Sequence, residues 1–290
     1  MTGAVWAAGA GVMFGLFQAL SVQVVRRAVN VTLATFVQVA AAALVIGAVA
    51  AITEGLGRLG EASAYSLVMF ALAGIVHFFV GWAALNRSQS RVGAARTAPL
   101  IATSPVFGVA LAVVVESEIP DAVALVGIAI TVAGAYVLTD PGAGRRAALT
   151  DSGWGLVTAA AWATSAVLTV RGLADFPYPL LGVAVGMAAA AVPFGLLLLG
   201  GREPVGWRDA VADLPLKVTA GSVVAVGTWW RWLGLDHAPI GVVLALNLLS
   251  VPSVLLLAPL LSRRGEEIVT TRLAIGASVV LAGALTLVLG

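Results

Sequence analysis

The chain is expected to fold as an all-α integral membrane protein, with ten transmembrane helices arranged as two inverted five-helix repeats. Three observations carry that expectation. Of 290 residues, 60% are hydrophobic and only 10% charged, against roughly 25% charged in an ordinary soluble domain, so lipid rather than water is the fitting solvent. Apolar runs of roughly 20 residues, the length that crosses a bilayer core, recur along the sequence. Finally, EIPDAVALVGIAITVAGA at 118–135 and EIVTTRLAIGASVVLAGA at 267–284 align without a gap, identical at six of 18 positions, including the glutamate and the closing glycine pattern.

Taken in order, apolar runs bounded by charge, Pro or Gly place spans near 3–22, 32–52, 65–86, 92–115 and 121–139. A polar connector, DPGAGRRAALTDSG from Asp140 to Gly153, follows. Further spans fall near 154–172, 178–200, 215–235, 240–262 and 270–289. The first run lacks the basic flank of a cleaved signal and is read as a retained span. The domain reading is therefore residues 1–140 and 151–290, one five-helix repeat each.

The repeat extends backwards from its opening match. Pro105 aligns with Pro252, Gly93 with Gly241 and Trp82 with Trp230. Five spans per copy is an odd number, so the second copy enters the membrane in the opposite sense. With a cytoplasmic N-terminus, only Arg58, Arg171 and Arg231 would face the cytoplasm, against twelve basic residues on the other side. The positive-inside rule accordingly places both termini outside.

Composition also excludes. A net charge of +2 does not point to nucleic acid, and the absence of cysteine removes disulfides, thiolate nucleophiles and cysteine metal sites. With two histidines and no carboxylate deep in a span, the chain supplies little for an enzyme, a metal site or a cofactor. No GxxxxGK[ST] loop is present, so energy would come from a gradient.

The succession WAALNRSQSRVGAARTAPLIATSPVFGVALAVVVESEIPDAVALVGIAITVAGAYVL, from Trp82 to Leu138, resembles the drug/metabolite transporter superfamily in its EamA-like branch. Its marks are Gly93, Pro105, Glu116 or Glu118, Gly127 and Gly134. They recur as Gly241, Pro252, Glu267, Gly276 and Gly283, while AAAWATSAVLTVRG at 159–172 is similar to the family's sixth span. The resemblance covers essentially the whole chain. It implies a multi-pass cell-membrane transporter moving small metabolites such as amino acids, often outward, by alternating access, with no cofactor. The chain departs from the family at EGLGRLGEAS, 54–63, where many members carry basic residues and this one has Arg58 alone.

Candidate residues follow from polarity inside apolar runs. His77 is mid-span in the third run, where an ionisable side chain is costly, and would either carry a coupling proton or stay neutral and hydrogen-bonded between helices. Arg96 would snorkel to headgroups or meet a substrate anion. Arg231, in TWWRWLG, would anchor a helix end at the interface or stack on a ring, whereas the alignment of Trp230 with Trp82 suggests a symmetric aromatic pair lining a cavity. Gln18, Gln38 and Asn247 suit a polar substrate, or join helices. Trp162 matches the family's sixth-span tryptophan and would line the cavity or face lipid. Pro105 and Pro252 would bend their helices, either as gates or as static kinks. The glycine pairs Gly11/Gly15, Gly127/Gly134 and Gly276/Gly283 allow close helix contact within the bundle or at a homodimer seam, and Glu118 and Glu267 would cap helix starts.

Overall fold

The computed structural model describes residues 2–92, 100–117, 119–138, 149–201, 206–253 and 271–289; Gly93, Arg96, Glu118 and Glu267 lie outside them. Among the described residues the regular structure is entirely helical. The helices are α1 (Thr2–Arg27), α2 (Val31–Thr53), α3 (Ala64–Gly74), α4 (Trp82–Val92), α5 (Ser104–Leu111), α6 (Ala122–Leu138), α7 (Leu149–Asp175), α8 (Pro179–Gly200), α9 (Trp207–Val211), α10 (Leu214–His237), α11 (Ile240–Leu246) and α12 (Thr271–Leu289). Five stretches are long and apolar enough to cross a membrane: Thr2–Val25, Val31–Thr53, Ala64–Ser88, Gly153–Asp175 and Pro179–Gly200. Leu44, Ile52, Val114 and Leu199 stand at least three-quarters exposed on the outer surface or at its ends, an apolar exterior that suits lipid and not water.

Local chemistry sets the helix ends. Asn30 Oδ1 accepts from the Leu33 amide at 2.9 Å to open α2, Ser63 Oγ accepts from Ser66 at 3.1 Å to open α3, and Asp121 Oδ1 accepts from Ala124 at 2.7 Å before α6. Each oxygen takes up an amide that the first helical turn leaves without a partner. Pro179 and Pro215 occupy first turns of α8 and α10, where the missing N–H costs nothing. Gly55, at φ +82, lets the chain leave α2 through a left-handed turn.

Two interruptions matter for function. Between α3 and α4 the chain forms a π-helical turn, Ile75–Gly81, so α3 and α4 are one span with a widened middle. After α11 the backbone tightens into a 3₁₀ turn, Asn247–Leu249, just before Pro252. Proline removes an amide and clashes with the carbonyl four residues earlier, here Leu248, which accounts for the local tightening. Pro105 stands in the first turn of α5, after a turn at Ala102 and Thr103, so that helix restarts at the proline.

The bundle is held by pairs of long helices. α1 packs on α10, α2 on α8 and α10, α3 on α7 and α8, and α6 on α12, while α5 meets α7 and α11 and α1 also meets α11. Glycines permit the closest approaches: a Cβ at Gly74 would lie 1.9 Å from the Gly186 carbonyl oxygen, and one at Gly134 would lie 2.5 Å from the Val280 amide. Gly127 and Gly283 face each other across α6 and α12 in the same way, so these glycines serve contact inside the bundle. Two apolar clusters result, one around Leu244, Ile128 and Val280, the other around Phe70, Leu181 and Met187. α1, α7 and α10 contribute side chains to both.

Polar contacts gather at the two ends. At one, Arg58 donates to Tyr178 Oη at 2.5 Å, Ser63 donates to Asp175, and Arg171 pairs with Glu116 at 2.7 Å. At the other, Arg27 pairs with Asp213 at 3.1 Å, and Lys217 Nζ donates to the Asp209 carbonyl at 2.7 Å. Arg272 at that second end donates to the Val137 carbonyl at 2.8 Å.

Candidate functional site

An arginine in the middle of a packed bundle is the first thing to explain. Arg231 is 1% exposed, and it is the largest of the fully buried side chains. The sequence suggests an interfacial anchor; the structure corrects this, because the Arg231 side chain turns inward between α7 and the α11 break while its tryptophan neighbours take the other faces of α10. Trp232 packs on Phe70, with ring centroids 5.2 Å apart, and Trp230 leans on Trp6 at 5.8 Å.

The guanidinium reaches four groups. Nη2 donates to the Trp162 carbonyl at 3.0 Å and to Ser165 Oγ at 3.3 Å, and Nη1 lies 3.5 Å from His77 Nδ1. With the Asn247 amide oriented to satisfy its neighbours, its Oδ1 accepts from Arg231 Nε at 3.3 Å and its Nδ2 donates to the Ala7 carbonyl at 3.3 Å. Every one of these acceptors is neutral. Most of the distances are at the long edge of the hydrogen-bond range, well beyond the roughly 2.7–2.9 Å of a charged donor meeting a carboxylate. Among the described residues no carboxylate pairs with Arg231.

His77 and Ser165 complete the cluster. The π-helical turn carries His77 toward α7, where its Nδ1 is 3.1 Å from Ser165 Oγ and its ring stacks on Trp162 at 5.6 Å with planes 21° apart. A π turn widens the helix by one residue and is a common device for aiming a side chain at a functional site. Ser165 also donates to the Trp162 carbonyl at 2.8 Å. Its single hydroxyl hydrogen can serve either that carbonyl or the imidazole, and the imidazole tautomer changes to match.

The indole of Trp162 lies against Gly81, where a Cβ would come within 2.6 Å of Nε1. That N–H is buried and finds no acceptor among the described residues. An unpaired buried donor costs about 1–3 kcal/mol, a cost a functional site tolerates when a ligand will supply the acceptor.

The sequence-predicted residues divide clearly. His77, Trp162 and Asn247 come together around Arg231. Trp82 is 7% exposed and joins an adjoining apolar crevice, stacked on Phe17 at 5.0 Å and edge-on to Phe78 at 5.2 Å. That crevice, lined by Val39, Ala42, Phe78, Trp82, Met187 and Val224, is too narrow for a water molecule. Trp230 covers Gly9 on α1 and stands apart from the cluster, so Trp82 and Trp230 do not line one cavity in this conformation. Gln18 is half-buried on α1 and makes no side-chain hydrogen bond among the described residues. Gln38 accepts from Ser21 at 3.4 Å and joins α2 to α1. Arg96 lies outside the described residues. Ser165 had no signal in the sequence, where AWATSAV reads as small-residue packing. Among the described residues no group of three metal-ligating side chains occurs.

A helical bundle with an apolar exterior and a charged, hydrogen-bonded cluster sealed inside defines a multi-pass membrane protein with an internal polar site. Residues 1–140 match the model of the EamA-like transporter family. That match places residues 1–140 with the EamA-like family of the drug/metabolite transporter superfamily, a group of membrane transporters of small molecules. A solved crystal structure superposes with a TM-score of 0.75 at 19% identity, covering 99% of this chain and 96% of that one, a likeness that shows the fold. No curated protein matches the chain.

Proposed function

We propose that this chain is a secondary transporter that carries small metabolites, outward across the cell membrane, by alternating access between two inverted five-helix units, 1–140 and 151–290. The observation that carries the reading is the sealed cluster of Arg231, His77, Ser165, Trp162 and Asn247. It draws on both units and lies where buried polarity has a high cost unless a substrate uses it.

The helix pairings support the inverted repeat. Exchanging α1, α2, α3 with α4, α5 and α6 for α7, α8, α10, α11 and α12 turns the α1–α10 pair into α7–α3, α2–α10 into α8–α3, and α5–α7 into α11–α1. Both members of each exchange occur, and α2–α8, α5–α11 and α6–α12 map onto themselves. A pseudo-two-fold axis of this kind suits a binding site between units that rock against each other. Pro105 and Pro252 stand at equivalent irregular points of α5 and the α11 segment, the places for gating bends.

In the mechanism this suggests, substrate enters when one end of the bundle parts, displaces the long contacts to Arg231, and leaves when the other end parts. His77 gives the cluster an imidazole, a side chain that can take up and release a proton. A proton on His77 and a bound substrate act on the same guanidinium contacts, so each changes the affinity for the other, which is the basis for coupling the two fluxes. The basic end, with Arg27, Arg87 and Lys217, is the cytoplasmic end, and both termini are then outside.

The test is a flux assay with purified protein in liposomes, using a panel of metabolites with and without a pH gradient. Saturable uptake that accelerates when substrate is placed on the far side is the expected result. Flux that neither saturates nor exchanges would overturn the carrier. Full pH-driven uptake by a His77→Ala variant would remove the proton role from that residue.

A further inference from the structure

The cluster around Arg231 has a chemical bias that narrows its ligand. The three guanidinium nitrogens are buried, and the acceptors they find are a backbone carbonyl, a hydroxyl, an imidazole and an amide. None carries charge. Trp162 Nε1 is a second buried donor, with no acceptor among the described residues. The site therefore offers one positive charge and surplus N–H groups, while its own acceptors are already engaged. Among the described residues no Asp or Glu stands within reach to receive an ammonium group.

Burying an uncompensated arginine is costly, and the cost falls when an opposite charge meets it. An anion bound bidentately would replace contacts of 3.3–3.5 Å with short, charge-assisted ones. Beside the cluster the surroundings turn apolar: Phe78 contacts the His77 ring at 4.7 Å and leads to Trp82, Met187 and Val224. A ligand seated on Arg231 would turn its remaining bulk toward these apolar side chains, whose crevice is closed in this conformation and would have to open.

Resting on the transporter reading above, we infer that the substrate class is a small organic monocarboxylate with an apolar body and no ammonium group, held through its carboxylate by Arg231. A zwitterionic amino acid of the same skeleton would bring an ammonium beside the guanidinium and find no carboxylate to pair with. An amine would meet repulsion alone. The site thus selects by charge before it selects by shape, and the chemistry it favours is that of a deaminated or fatty acid fragment.

Three isosteres decide the matter: 4-methylpentanoate, leucine, which adds an ammonium to it, and 3-methylbutylamine, which keeps the ammonium and loses the carboxylate. Binding is read on purified full-length protein by thermal shift and by tryptophan fluorescence, and transport by exchange in liposomes. The expected result is 4-methylpentanoate binding at least about tenfold tighter than leucine, with no response to the amine. Arg231→Gln should lose that preference. Trp162→Phe, which removes only the indole N–H and ring bulk beside Gly81, should weaken the carboxylate several-fold without lowering the melting temperature, and it decides the case should Arg231→Gln fail to fold. Leucine binding as tightly as the acid, or carboxylate binding untouched in both variants, would overturn the inference. Saturable exchange of a neutral solute with no response to the acid would also overturn it while leaving the transporter reading standing. Absence of saturable exchange for every solute would bring down that reading and the inference with it.

Discussion

Glu54 Oε2, just past the end of α2, accepts a hydrogen bond from the Leu181 amide at 2.9 Å, so a carboxylate from one part of the chain caps the first turn of α8 in another. The first turn of a helix has amides without partners and a partial positive charge, and the carboxylate answers both. With Arg58 on Tyr178 and Ser63 on Asp175, this contact closes the end of the bundle at 54–63. Glu54→Ala should lower stability by about 1–3 kcal/mol, and Glu54→Gln, which keeps an acceptor, by less. Melting of the purified variants checks the order, and a loosened end should also raise the rate of substrate release in liposomes.

Gly74→Ala tests the closest helix approach. The added methyl would sit 1.9 Å from the Gly186 oxygen and 2.5 Å from its Cα, both backbone atoms that cannot rotate away. α3 and α8 must separate, at a cost of about 1–3 kcal/mol or more. Gly47→Ala, where a Cβ meets nothing within 4 Å, is the control and should leave the melting temperature unchanged or slightly raised.

Ser165→Ala removes the hydroxyl that Arg231, His77 and the Trp162 carbonyl share. The loss should cost about 1–3 kcal/mol in stability, because buried donors are left without an acceptor. Added carboxylate ligand should restore part of that loss by binding the same guanidinium. A thermal-shift series with and without 4-methylpentanoate measures both effects.

The charge distribution makes a separate claim about orientation. Reporter fusions at Gly290 should read outside the cytoplasm, since Arg27, Arg87 and Lys217 lie at the end remote from both termini. A cytoplasmic signal would reverse the placement and leave the fold untouched.

Much of the site was legible because polarity inside an apolar run is expensive. His77 and Asn247 stood out for that reason and Trp162 through its match to the family's sixth span, and the structure brings all three to Arg231, Trp162 by its carbonyl. Arg231 itself was misplaced in the sequence reading because flanking tryptophans in TWWRWLG imitate an interfacial belt. Only the packing of α7 on α10 shows that residue 231 faces inward and residue 230 turns about 100° away. Ser165 was hidden by its size. The π turn at Ile75–Gly81 has no composition of its own, so the displacement it gives His77 could not be read from periodicity. Where a described stretch is long and apolar enough to cross, the reading lies close to it, as 178–200 does to Pro179–Gly200, while 92–115 and 240–262 fall partly outside the described residues. The long helices run a few residues past their apolar runs because polar end residues such as Arg27 and Asp175 remain helical.

The missing partner of Arg231 has a consequence for the transport cycle as a whole. A carrier whose empty site holds a net positive charge moves that charge when it reorients unloaded, while the carrier bearing a monoanion with His77 neutral moves none. Membrane potential acts on a charge by about 2.3 kcal/mol per 100 mV for a full crossing. The voltage therefore bears on the return stroke and spares the loaded one, so that polarising the membrane should change net flux while leaving one-for-one exchange nearly constant.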